Sequence, residues 1–301
     1  MKKNLFKISI LPIYIGLVIF LLIFLAETFC TVFALNIFAK LTIILIISFL
    51  LGVLISNGFF LFIPVFKDSV MALRQMYRFE SLSHPLLLRL SYEAPGTYHH
   101  SINVSILSQK AAKAIGSDTL LVRLGAYYHD IGKLDSPTQY IENQSGDEIP
   151  RSEDAESIRK DANKIILHVK KGKEIALENH LPDEVIDLIS EHHGTTRVLY
   201  FYEKAKERGL KIKRTDFKYS GPAPQSKEAV ILMLADSTEA AARAIPNLTK
   251  ENIINLVNTT IEDKKSEGQF ENSSITASDL NKICESLIET LASIYHQRIA
   301  T

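Results

Sequence analysis

Seven residues of this sequence place metal-ligating nitrogen or carboxylate charge where apolar side chains would be expected: His100, His129, Asp130, His168, His192, His193 and Asp236. His129 and Asp130 end the apolar stretch GAYY and run into Ile131, Gly132 and Lys133. Charge at the end of a buried helix is costly unless it is paired or metal-bound. Gly132 would permit a tight turn there, and Lys133 would then point back at a phosphate. His192 and His193 repeat the logic. Neighbouring helical residues point about 100° apart, so both reach one ion only near a helix end, and Gly194 supplies that end. His168 lies within IILHV, and Asp236 is the one charge within AVILMLADS. A buried carboxylate without a basic neighbour needs a partner, and a cation serves.

Each of these residues has a plainer reading. A lone histidine on an apolar face is usually a satisfied core residue, and an isolated His-Asp pair is usually a surface dipeptide. Seven such positions would require a separate accident each. Five imidazoles and two carboxylates suit two divalent ions of borderline softness, Mn or Fe, each with an open position for water or substrate. The closely spaced thiolates of structural zinc are absent. Cys30 and Cys284 lack a CxxC partner and read as buried thiols of a reducing compartment.

The elements that must position these residues are helical. Pro95 and Gly96 punctuate the chain, and Thr97 is expected to cap a helix reaching Gly116, with His100, Val104, Leu107, Ala111 and Ile115 on one face. Residues 120–130 form a second helix. Pro182 opens a third, and residues 227–245, apolar on every side around AVILMLAD, read as a central buried helix. Residues 135–154 and 211–224 are rich in polar residues, proline and glycine and read as long loops.

Residues 1–66 belong to a different solvent. They carry only Lys2, Lys3, Lys7, Lys40 and Glu27, out of 34 basic and 34 acidic side chains in the chain. The apolar runs 8–26 and 41–66 each approach the roughly 20 residues of a membrane span. A second run so close to the first opposes a cleaved signal peptide. Lys2, Lys3 and Lys7 precede the pair and Lys67, Arg74 and Arg78 follow it, so the positive-inside rule places both ends in the cytoplasm. The expected organisation is a transmembrane hairpin over 1–66, a juxtamembrane helix over 67–83 and a cytoplasmic all-α bundle over 84–301, held at the cell's inner membrane. A net charge of zero gives no reason to expect DNA or RNA as partner. Lipid is the expected partner of the hairpin, and its pairing into a homodimer is left open.

The motifs HHS at His99 and HDIGK at His129, with the later histidines and Asp236, resemble the HD superfamily of phosphohydrolases. EAPGTYHHS, GAYYHDIGKL, EHHGTT, GPAPQSKEAVILMLADSTEAA and YHQRI more closely resemble the intracellular HD domain of the seven-transmembrane HD receptors, whose members include the PgpH-type cyclic di-AMP phosphodiesterases. The resemblance runs from about Arg78 to Ile299. It implies an HD-domain helical bundle, with Asp130 bridging two ions, His100, His129 and Asp236 on one side, and His168, His192 and His193 on the other. It departs from the family in lacking a large domain between its first helix and further spans, and in the acidic stretch 146–156.

What the resemblance implies is hydrolysis of a cyclic dinucleotide, cyclic di-AMP to pApA, by a hydroxide made between the two ions, with Asp130 and Lys133 catalytic. Lys133 fits a phosphate contact, Arg197 a second one, and Tyr127 and Tyr128, with Tyr200 and Tyr202, stacking on the bases. Tyrosines in helices are more often packing residues, and an arginine such as Arg197 is as often solvated. Three rivals stand beside this reading. They are a cyclic di-GMP enzyme, weakened because Tyr-Pro does not follow the His192-His193 pair, a hydrolase of ppGpp or nucleotides, and a non-catalytic membrane receptor or scaffold. The last would predict a missing ligand, and none is missing.

Overall fold

The computed structural model describes residues 20–25, 27–29, 37–144, 154–246 and 248–295. The chain divides into two compact units, Met1–Met71 and Ala72–Thr301.

In the first unit, residues 20–25 and 27–29 are helical, and a long helix α1 (Ile37–Glu80) begins. Residues 37–40, between the two apolar runs, therefore belong to this helix. Leu45, Phe49 and Leu50 are more than half exposed. Among the described residues no helix is long and apolar enough to cross a membrane. Most of the apolar run 8–26 lies outside the described residues.

The second unit is all-α. Its helices are α2 (Pro85–Glu93), α3 (Pro95–Ile115), α4 (Thr119–Tyr128), α5 (Ala155–Glu178), α6 (Asp183–Glu191), α7 (Leu199–Glu207), α8 (Lys227–Arg243), α9 (Lys250–Ser266) and α10 (Ala277–Tyr295). Among the described residues the β-type pairing is one isolated bridge, Arg197 with Lys218. Helix starts carry their chemistry locally. Asp118 accepts from the amides of Leu120 and Leu121, Asp154 from those of Glu156 and Ser157, and Ser226 from that of Ala229.

Helix α3 starts two residues before the expected cap. Pro95 occupies its first turn, where a missing N–H costs nothing, and Ala94 is its N-cap. Thr97 is buried inside the helix, and its hydroxyl donates to Glu142 at 3.3 Å. Pro182 is the N-cap of α6 and not its first turn. Helix α8 is the centre of the second unit, because every residue from Ala229 to Asp236 is buried. It packs against α3, α4, α9 and α10. Each fully buried Leu or Ile of such a helix stabilises the fold by about 1.5–3 kcal/mol, and this continuous burial is what holds Asp236 in the interior.

The expected loop after Asp135 begins as short 3₁₀ turns at Pro137–Gln139 and Ile141–Asn143, and residues 145–153 lie outside the described residues. Cys284 is half-buried instead of buried, with its Sγ 3.3 Å from Asn258 Oδ1, and Cys30 lies outside the described residues.

Candidate metal centre

Five elements deliver the ligand set. Helix α3 carries His100, the end of α4 carries His129 and Asp130, α5 carries His168, and the end of α6 carries His192 and His193. Helix α8 carries Asp236 between them. The structure brings all seven together. Two groups have ligand atoms within 4.8 Å of one another: His100 with His129 and Asp130, and His168 with His192 and His193.

The orientation of the rings follows from the main chain. His129 Nδ1 lies 2.8 Å from the Ala126 carbonyl, His168 Nδ1 2.5 Å from that of Ile165, and His192 Nδ1 2.7 Å from that of Ile189. A carbonyl only accepts, so each Nδ1 carries a proton and each Nε2 is turned to the interior. In every case the carbonyl lies three residues earlier. His100 differs, since its Nδ1 donates to the buried carboxylate of Glu239. Four Nε2 atoms therefore converge on one interior space.

Asp130 lies between the two groups. Its Oδ2 is 3.2 Å from His129 Nε2 and 3.7 Å from His100 Nε2, and its Oδ1 is 3.3 Å from His168 Nε2 and 4.0 Å from His192 Nε2. Asp236 leans to the first group, with Oδ1 3.0 Å from His100 Nε2 and 3.7 Å from His129 Nε2. Its Oδ2 lies 3.6 Å from His193 Nδ1. His129 Nε2 and Asp130 Oδ1 are buried without a hydrogen-bond partner, and His168 Nε2 faces His192 Nε2 at 3.2 Å. Lone pairs facing lone pairs, and orphaned buried acceptors, are resolved by cations. The donor set fits divalent ions.

The electrostatics divide the site. Burial opposes charge on His129, but Asp130 and Asp236 beside it outweigh burial and raise its pKa to about 10. His100 is raised in the same way, its burial outweighed by Asp236 and Glu239. In the other group burial prevails. It lowers His192 to about 3, holds His193 well below its ordinary value and lowers His168, so these three rings are neutral. Burial also opposes ionisation of Asp130 and Asp236, yet Lys133 and His129 keep the former a carboxylate, and His100 and His129 the latter.

Lys133 does not stand free to meet a phosphate. Its ammonium lies 2.7 Å from Asp130 Oδ2 and 2.6 Å from Glu142 Oε1, and the two carboxylates, working against burial, raise its pKa. It remains a cation and is unsuited to be a general base. Gly132 makes no left-handed turn. A side chain there would run into the backbone of α5 at His168 and Gly172, so the glycine allows the His129–Lys133 turn to lie directly on α5. Gly194 does adopt the left-handed conformation, at φ +54°.

Of the expected tyrosine contacts, that of Tyr128 is corrected. Tyr128 is completely buried, its hydroxyl donating to the Phe79 carbonyl at 2.9 Å and its ring edge-on to Phe79 and His84. A ring that fills the core cannot stack on a ligand. Tyr127 is half-buried and packs with the same cluster. Arg197 is paired with Glu267 at 2.9 Å and lies over the Tyr202 ring. Tyr200 is exposed on α7.

Sequence reasoning missed four residues. Glu142 anchors Lys133, and the Tyr140 ring lies 5.1 Å beneath that ammonium. Tyr219 lies against His193, ring centres 4.3 Å apart. Glu239 follows Asp236 by three residues, one helical turn along the same face of α8, and that spacing was the readable signal.

Residues 97–241 match the family model described as HD domain. The chain is 41% identical over 238 residues to the cyclic-di-AMP phosphodiesterase PgpH of Bacillus subtilis, which covers 78% of this chain and 33% of that protein. It is also 41% identical over 239 residues to PgpH of Listeria monocytogenes, covering 79% and 33%. It thus spans about a third of the length of the curated relatives it matches. The crystal structure of the L. monocytogenes PgpH HD domain matches with a TM-score of 0.66 at 42% identity, covering 71% of this chain and 100% of that one. The same domain in complex with cyclic-di-AMP matches with a TM-score of 0.66 at 43% identity, covering 72% and 100%.

Proposed function

We propose that this chain, which belongs to the HD-domain family, is a metal-dependent phosphodiesterase that hydrolyses cyclic di-AMP to the linear product pApA. One observation carries the chemistry: the Asp130 carboxylate turns one oxygen to each of two ligand groups. The substrate follows from the relatives that share this domain, named for cyclic-di-AMP, and from the similar domain solved in complex with it.

His100, His129 and Asp236 would hold one ion and His168, His192 and His193 the other, with Asp130 between them. Manganese or iron suits this mixture of imidazole and carboxylate. Such ions, when bound, supply a nucleophile from water and neutralise charge developing on the phosphoryl oxygens. The chain's own residues do the rest. The carbonyls of Ala126, Ile165 and Ile189 fix three ring orientations before any ion arrives. Burial excludes bulk water from the ligands, which strengthens every charge interaction inside. Asp130, Asp236, Glu239 and Glu142 bring four negative charges and Lys133 one positive charge. Two divalent ions more than offset this balance, leaving positive charge for a phosphodiester.

The apolar runs 8–26 and 41–66 form a membrane hairpin in this reading, 67–83 the juxtamembrane helix and 84–301 the catalytic HD domain, in the cytoplasm at the inner membrane. The support is their length, their near absence of charge and the lysines and arginines at both ends.

The test is the full chain, purified in detergent and supplied with manganese, offered cyclic di-AMP, cyclic di-GMP, ppGpp and dAMP separately. Turnover of cyclic di-AMP to pApA above the others is expected. Absence of turnover of any cyclic dinucleotide refutes the proposal.

A further inference from the structure

The four imidazoles that give Nε2 to the centre are not anchored alike. His129, His168 and His192 each donate Nδ1–H to a carbonyl of their own segment. Only His100 is held by a side chain from another helix, the Glu239 carboxylate of α8. Glu239 is 1% exposed, and its other oxygen accepts from Asn103 Nδ2 at 3.1 Å, one turn along α3 from His100. The carboxylate is therefore fixed at both oxygens, and its only bond to the ligand set is to His100. A carboxylate behind a ligating imidazole sets the tautomer, fixes the ring plane and raises the basicity of the ligating nitrogen.

We propose that Glu239 is a positioning residue that sets the ion affinity of one half of the centre, the half formed by His100, His129 and Asp236, and leaves the other half untouched. The inference rests on the metal reading given above. Asp236 and Glu239 stand one helical turn apart on α8, so one helix supplies both a carboxylate facing the ion space and the group that aims the imidazole beside it. The Nδ1 anchors of His129, His168 and His192 are main-chain atoms, which no side-chain substitution removes. Glu239 is thus the place where a substitution outside the ligands can separate the two halves.

The test is manganese binding by the metal-free full chain in detergent, followed by titration calorimetry and by metal analysis after desalting. The wild type is expected to hold two ions. Glu239→Ala is expected to keep one at unchanged affinity and to bind the other about 10–100-fold more weakly, the usual effect of losing such a partner. Glu239→Gln keeps the shape and an acceptor oxygen and is expected to recover part of the loss. It also supplies the measurement where the alanine variant fails to fold. A purely structural Glu239 would lower the melting temperature of the metal-free protein and leave both manganese affinities unchanged, which overturns the inference. Equal weakening of both ions overturns it as well. A wild-type chain that binds no manganese overturns the metal reading itself, and the inference with it.

Discussion

His168 and His192 meet Nε2 to Nε2 at 3.2 Å while each gives its Nδ1 proton to a main-chain carbonyl. Two lone pairs at that distance repel unless something positive lies between them. Burial lowers the pKa of both rings, that of His192 to about 3, so a proton does not play that part at neutral pH. A divalent ion held by both rings would. The contact is made by atoms that the main chain holds in place.

Asp130→Ala should remove the carboxylate shared by both groups. It is expected to abolish turnover, by at least 10³-fold, and to empty both ion sites in metal analysis, since a removed bridge weakens each neighbour. Retention of two ions with wild-type activity would show that Asp130 does not lie between them.

Uptake of manganese by the metal-free chain at about pH 8 should release protons. Burial disfavours the His129 imidazolium, but Asp130 and Asp236 outweigh it and raise the pKa to about 10, so the proton is present at pH 8 and must leave before an ion binds. Affinity should therefore rise as pH approaches 10. The stability of the metal-free protein should run the other way. A folded-state pKa raised above the unfolded value of about 6.5 contributes fully below that value, and the contribution is lost as pH rises through about 10. Calorimetry in buffers of different ionisation enthalpy measures the protons, and a count of zero contradicts the assignment.

Gly132→Ala should push the His129–Lys133 turn away from α5, because the added methyl meets the backbone of His168 and Gly172. A cost of about 1–3 kcal/mol is expected from such overpacking. Asp130 and His168 would separate, so metal affinity should fall with stability. Thermal melts with and without manganese check both, and an unchanged manganese-induced shift would argue against this role for the glycine.

Tyr128→Phe tests the corrected place of that ring. The hydroxyl donates to Phe79 O inside the core, so its loss should cost about 1 kcal/mol and leave KM for the cyclic dinucleotide unchanged. A raised KM at unchanged stability would return Tyr128 to the substrate.

The seven residues that the structure brings together were legible because each is a polar residue in an apolar context. His168 within IILHV and Asp236 within AVILMLAD stand out in a single sequence, and helix periodicity placed them inside. Helix ends were less legible, since Pro95 serves the first turn of α3 and displaces Thr97 from the expected cap. Partners distant in sequence were illegible. Nothing local ties Lys133 to Glu142, or Glu239 to His100, which lies 139 residues away. Tyr128 was misjudged because aromatic rings suit cores and ligands alike, and only packing decides between them.

The most direct measurement is anomalous diffraction at the manganese edge from crystals of the manganese-loaded chain. Two peaks are expected, one on each side of the Asp130 carboxylate, the first among His100, His129 and Asp236, and the second among His168, His192 and His193. A single peak, or peaks that leave Asp130 outside both coordination shells, would contradict the account.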